Sequence, residues 1–225
     1  MTSEPRQLSL PELRSRVVAA VAPRLRRAEQ LGFLGGVSIE DQIDHALGFV
    51  FCAESLLGRA PRTALDLGSG GGLPGLILAS CWPDSHFLFV DSNSRRTTFL
   101  TSAAGDLFPG AAIQIVRSRA EEIGRDDALR SSFELVTARS FGSPAVTSEC
   151  GAPFLSVGGL MVVSEPPGEL ESPRWPAEGL VELGMSVREK LRFDDRFSFQ
   201  VLAKVAPTPD RYPRRVGIPA KRPLF

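Results

Sequence analysis

ALDLGSGGGLPG, residues 64–75, runs from an apolar strand pattern into an acid and then into a cluster of glycines. Asp66, Gly68, Gly70 and Gly72 form D-x-G-x-G-x-G at the end of the β-run, and Pro74 is placed to begin a helix. Glycine is needed where the backbone takes a positive φ or lies close to a ligand, because a Cβ there collides. Proline at the first helical position presets φ. The helix that follows then aims its unpaired N–H groups at whatever lies over the loop. Strand, glycine turn and helix in this order predict a nucleoside site.

Two ligand classes use such loops. Gly70, Gly72 and Gly75 also satisfy G-x-G-x-x-G, the dinucleotide fingerprint, in which a pyrophosphate rests on the helix N-terminus. Asp66 argues for the other class: a carboxylate at the strand end repels a pyrophosphate and suits the sulfonium and ammonium of S-adenosylmethionine (SAM). SAM is therefore the expected cofactor; an NAD-dependent or small-molecule Rossmann enzyme is the alternative, and a glycine turn without ligand is the plainest reading. HFLFVDSNSRR, residues 86–96, supplies the context as an alternating strand ending in Asp91. That acid stands about 20 residues beyond the loop, where a ribose-binding carboxylate belongs. Either cofactor would use it, and with Ser92 it would also cap the next helix.

The 225 residues, 43% apolar, suffice for one large domain with a real core. Acids and bases balance at 26 each, so affinity for nucleic acid has to come from local patches. Cys52, Cys81 and Cys150 lie in apolar stretches without metal-type spacing, which points to buried thiols in a reducing cytoplasm. His45 and His86 are too few and too far apart for a metal site, and none is expected. The N-terminal segment MTSEPRQLSLPELRSR is no signal peptide. No apolar run reaches membrane-spanning length, so no membrane partner is expected.

Ser9 and Glu12 make a capping box for a first helix with Leu10, Leu13, Val17 and Val21 on one face, before Pro23 interrupts it. Ser38 and Asp41 open a second helix carrying Ile43, Leu47, Val50 and Leu57. Beyond these, strands are predicted at Thr63 to Leu67, Phe87 to Val90, Ile113 to Val116, Phe133 to Thr137 and Leu160 to Val163, with helices between, one of them over Leu76 to Trp82. This is the βαβ rhythm of a parallel sheet covered on both faces. Met185 to Phe193 and Phe197 to Val205 read as an antiparallel hairpin at the sheet edge. The expected fold is α/β, a mostly parallel, doubly wound, Rossmann-like sheet closed by that hairpin, as in SAM-dependent methyltransferases. Residues 1–60 form an N-terminal helical extension, 61–206 the SAM-binding domain and 207–225 a basic, proline-rich tail. The acidic segment 164–180 is expected as a surface loop with a short helix.

Four segments together resemble the bacterial small-subunit rRNA methyltransferase G family, also called glucose-inhibited division protein B. They are DLGSGGGLPG (66–75), FVDSNSRRTTFL (89–100), RSRAEEI (117–123) and VTARSFGS (136–143). RYPRRVGIPAKRPL (211–224) is similar to a tail found in many members, and coverage runs from about residue 40 to the end. The resemblance implies methyl transfer from SAM to guanine N7 in 16S rRNA, on the free RNA or the small ribosomal subunit, by a protein expected to be a monomer. It implies that Gly68 and Leu73 contact the cofactor, that Asp91 holds its ribose and that Ala120 and Glu121 border the adenine. Asp66, Gly70, Gly72 and Arg139 complete the cofactor set, and Arg139, between cofactor and substrate, is also the catalytic residue, with an ion pair to Asp66 or Glu121 as its alternative role. Arg211, Arg214, Arg215, Lys221 and Arg222 would lie along RNA phosphates with Tyr212 stacking on a base, unless the tail is simply solvated and mobile. A catalytically silent RNA-binding paralogue is the further alternative.

The chain departs from the family in two places. GFLGGVSIEDQIDHALGFV keeps only the histidine, His45, of the usual Asn-Leu-Thr and Asp-Ser features. Ser164, Glu165, Pro166 and Pro167 replace a usual Lys-Gly, which would set an acid at the mouth against an approaching phosphate.

Overall fold

The computed structural model describes residues 9–166 and 174–225. Seven strands form one sheet: β1 (Thr63–Leu67), β2 (His86–Asp91), β3 (Ile113–Arg117), β4 (Phe133–Ala138), β5 (Leu155–Glu165), β6 (Met185–Phe193) and β7 (Phe197–Lys204). Their order is β3-β2-β1-β4-β5-β7-β6. The first five run parallel, while β7 lies antiparallel to both β5 and β6. The expected terminal hairpin is thus present, with its second strand against β5 and its first at the edge.

Helices α1 (Leu10–Gln30), α2 (Ile39–Leu57), α3 (Gly75–Cys81) and α4 (Ser94–Leu107) bury one face of the sheet. Val17, Ile43, Phe49, Leu76, Phe89 and Phe199 meet there in a single apolar cluster. The other face carries α5 (Ala120–Ile123), α6 (Pro144–Gly151), α7 (Ala177–Val181) and α8 (Ile218–Lys221), over Leu65, Leu67, Val136 and Met161. Alternation along β1 sorts these layers, since Leu65 and Leu67 project to one side and Ala64 to the other.

Three boundaries differ from expectation. Helix α1 continues through Pro23 to Gln30. Pro23 is exposed, while Val17 and Val21 before it and Leu25 and Ala28 after it are buried. Burial of an apolar stripe on both sides outweighs the one backbone hydrogen bond that proline removes. Strand β5 begins at Leu155, before a register shift against β4. The shift falls at Gly159, where a Cβ would press on the carbonyls of Ser156, Glu134 and Phe133 at 2.9–3.1 Å. Helix α3 starts at Gly75, so Pro74 is its cap residue rather than its first turn. In segment 164–180 the short helix is α7, and residues 167–173 of the expected loop lie outside the described residues.

Candidate cofactor and substrate site

The glycine turn leaves β1 at the point where the chain passes to neighbours on opposite sides, β2 and β4. Open α/β sheets bind ligands at this switch point, beyond the carboxyl ends of the strands. Gly68, Gly70 and Gly72 all take positive φ, at 74°, 55° and 99°. The N–H groups of Gly68 and Ser69 both donate to the Val90 carbonyl, at 2.9 and 3.0 Å, tying the turn to β2.

Two cavities meet over this turn. The first, about 210 Å³, is lined by Gly68, Asp91, Ser118, Ala120, Glu121 and Phe141. The second, about 230 Å³, is lined by Gln42, Gly70, Leu73, Arg96 and Arg139, with Phe33 at its rim. Gly68, Arg96 and Ser140 belong to both, so the two are lobes of one site. A Cβ on Gly68 would come within 2.7 Å of the Phe141 ring, which closes the junction. Ser140 holds φ 53° there, a left-handed conformation uncommon outside glycine.

Asp91 is 6% exposed and stands where the ribose acid was expected. Its Oδ2 accepts the Gly70 N–H at 2.9 Å and its Oδ1 the Asn93 N–H at 2.8 Å, with Arg96 3.7 Å away. The carboxylate is therefore oriented before any ligand arrives. Asn93, rather than Ser92, caps α4 through its side chain.

Two of the residues expected to contact the cofactor, Asp66 and Gly72, are not on the wall of either lobe. Asp66 lies beneath the loop, 1% exposed, and lines neither lobe. Its Oδ2 accepts the Gly75 N–H at 3.1 Å and its Oδ1 the Thr137 hydroxyl at 2.9 Å. Burial pushes its pKa up to about 6, against those hydrogen bonds and the field of Arg139. The acid braces the turn and reaches a ligand only through its charge. Gly72 is likewise turned to the core, where a Cβ would strike the Leu76 side chain.

The same brace separates the two ligand classes. The first N–H groups of α3 are already taken, Gly75 by Asp66, Leu76 by the Gly72 carbonyl at 2.8 Å and Ile77 by the Pro74 carbonyl at 2.9 Å. A pyrophosphate would find no free donors at this helix end.

Arg139, at the end of β4, shows neither expected ion pair. Its Nη2 donates to Gln42 Oε1 at 3.3 Å, and its Nη1 is buried without a hydrogen-bond partner among the described residues. Burial lowers its pKa while the nearby Asp66 charge raises it. An unsatisfied buried guanidinium N–H is costly and marks a place where a ligand acceptor belongs. Gln42 was missed in the sequence although a signal was present: it is a polar residue, 1% exposed, on the same stripe of α2 as Ile39 and Ala46. Arg96 and the Phe33 to Gly35 loop carried no comparable signal.

Residues 43–166 match the family described as rRNA small subunit methyltransferase G. A protein so named from Pelotomaculum thermopropionicum is 33% identical over 190 residues, 82% of this chain and 79% of that one. Another from a Thermotoga species is 35% identical over 167 residues, 72% of each. The chain belongs to the rRNA small subunit methyltransferase G family. It is accordingly a methyltransferase whose methyl donor is SAM, and the NAD alternative falls away. The fold is shared with solved structures such as Aeropyrum pernix fibrillarin in complex with natively bound SAM (TM-score 0.54, 14% identity, 71% of this chain and 76% of that). A putative O-methyltransferase from Klebsiella pneumoniae also matches (TM-score 0.54, 11% identity, 91% and 93%).

The tail, expected either to bind RNA or to move freely, divides. Tyr212 is 4% exposed in the lower apolar cluster, with its hydroxyl donating to Glu182, so its ring has no free face for a base. Arg214 clamps Glu149, which is 0% exposed, through Nε at 2.9 Å and Nη2 at 2.6 Å. Arg211 stacks on Tyr212 and lies 3.6 Å from Glu182. Arg215, Lys221 and Arg222 remain exposed with no carboxylate partner among the described residues. Glu121, at the rim of the first lobe, accepts the Gly217 N–H at 3.1 Å. The feared acid at the mouth is also neutralised: Glu165 accepts from Arg174 at 2.8 Å and from the Trp175 indole at 3.1 Å.

Proposed function

We propose that this protein, acting as a cytoplasmic monomer, methylates the N7 position of a guanine in 16S rRNA, as free RNA or within the small subunit. The observation that supports this most is Arg139, a half-buried cation whose buried Nη1 has no hydrogen-bond partner among the described residues, lining the lobe next to the nucleoside lobe. When bound, SAM supplies a methyl group on a positively charged sulfur. The first lobe would take the nucleoside, with Asp91 receiving the ribose hydroxyls, Ala120 and Glu121 bordering the adenine, Gly68 at the junction of the lobes, and Gly70 and Leu73 on the wall of the second. Arg139 would hold the target base. Guanine presents O6 and N7 as acceptors on one edge, and a donor engaged by O6 leaves the in-plane lone pair of N7 free.

That lone pair carries no proton, so no general base is needed. Asp66, a buried acid beneath the turn, has both oxygens occupied and is not placed to act as one. Catalysis rests on holding the reactants in line, which makes the step effectively intramolecular. N7 lies in the deep major groove of RNA helices, so the target base has to be unpaired or turned out.

The test is incubation with tritiated SAM and undermodified small subunits, followed by mapping of N7-methylguanine by chemical cleavage. Label at one guanine is expected. Bound SAM without transfer to RNA would instead mark a silent RNA-binding relative.

A further inference from the structure

A groove of about 580 Å³ runs between α1 and α4 on the face of the protein that holds the site's second lobe. Its walls carry Arg24, Arg27 and Arg95 against a single acid, Asp106. Arg24 pairs with Asp106 at 2.9 Å yet leaves its Nε buried and without a hydrogen-bond partner among the described residues. Arg27 reaches only Gln30, at 3.2 Å, and Arg95 has no carboxylate partner among the described residues. The floor is aromatic: Phe33 and Phe99 meet edge to face with centroids 5.9 Å apart, and the Arg95 guanidinium lies over Phe33 at 5.7 Å. In a chain whose charges cancel overall, this is a local excess of cations on an apolar bed.

The groove is connected to the site. Phe33 lines both the groove and the second lobe. At the start of α4 the consecutive Arg95 and Arg96 divide between them, Arg95 facing the groove and Arg96 the lobe. Cations tracking a backbone beside stacking aromatic rings are the features that bind single-stranded nucleic acid. The volume falls in the range of small-ligand sites, about 300–1,000 Å³.

We propose that this groove binds the single-stranded rRNA segment flanking the target guanine, with one base on the Phe33–Phe99 floor and adjacent phosphates on Arg27 and Arg95. The inference rests on the rRNA reading above. An unpaired target needs flanking nucleotides held outside a helix, and the groove opens beside the lobe that would receive it.

The experiment uses the full chain and the double variant Arg27→Ala/Arg95→Ala, both positions being exposed. Binding of a fluorescent single-stranded RNA is titrated against salt, alongside the KM for undermodified small subunits and affinity for S-adenosylhomocysteine. Loss of two phosphate contacts should flatten the log–log salt slope by about 1.4. KM should rise about tenfold or more, with S-adenosylhomocysteine affinity and thermal midpoint unmoved. A wild type that labels RNA while the double variant keeps both slope and KM overturns the groove and spares the rRNA reading. A wild type that binds SAM but neither binds nor labels RNA overturns both. A duplex of the same sequence competing as well as the single strand also overturns the proposal.

Discussion

Replacing Arg214 with alanine removes the guanidinium from a carboxylate that has no access to water. Glu149 is 0% exposed on α6 and would keep only the backbone N–H of residue 214, at 2.8 Å. Removing one partner of a buried ion pair costs about 3–5 kcal/mol, because the remaining charge stays desolvated. In a protein of this size that corresponds to a fall in thermal midpoint of about 10 °C. Urea unfolding followed by tryptophan fluorescence suits the measurement, since Trp82 and Trp175 are 3% and 6% exposed. Adding Glu149→Gln to Arg214→Ala should recover most of the loss, which separates the stranded charge from the lost packing. A loss below about 1 kcal/mol, coupled to weaker RNA binding, would refute the reasoning and return Arg214 to the RNA contacts expected from the sequence.

Gly70→Asp should abolish S-adenosylhomocysteine binding in calorimetry without unfolding the chain. A Cβ there meets nothing closer than the Gly68 carbonyl at 3.7 Å, so the new carboxylate would project into the site near Asp91; normal affinity would show the loop to be misassigned. Arg139→Ala should lower the rate of RNA methylation by about 10²-fold or more while S-adenosylhomocysteine affinity changes little, and an unchanged rate would remove Arg139 from the reaction. His45 sits among Phe49, Phe197 and Phe199 at 5.1–5.6 Å, and burial lowers its pKa to about 4. A base whose folded pKa is depressed gives stability that is complete above the unfolded value and is lost as pH falls from about 6.5 to about 4. The loss should approach 3 kcal/mol, roughly, by the linkage between protonation and folding, and His45→Phe should flatten stability over that window. Static light scattering should return the monomer mass of 24.3 kDa.

The βαβ order, the edge hairpin and the place of Asp91 at the end of β2 beside the glycine turn were legible because each rests on local spacing. Strand alternation and a strand-to-acid distance are carried by neighbours in the chain. Asp66 was legible as a residue but not in its direction. Whether a strand-end acid faces the ligand or the loop depends on where the Gly75 N–H points, and that is settled only when α3 docks. The tail misled for a related reason: its arginines and prolines read as solvated, while the carboxylate that claims Arg214 lies 65 residues earlier. Glu165 was read as a bare charge because Arg174, nine residues on, appeared only as part of a proline-rich loop. Proline inside α1 likewise overstated a local rule against an apolar stripe continuing beyond it.

The tie between Gly217 and Glu121 has a practical side. Gly217, at the start of α8, ties that segment to the rim of the first lobe, and the Phe225 ring packs so closely on α7 that Gly179 has no space for even a methyl group. A purification handle fused behind Phe225, or removal of that residue by a carboxypeptidase, therefore acts first on the packing against α7.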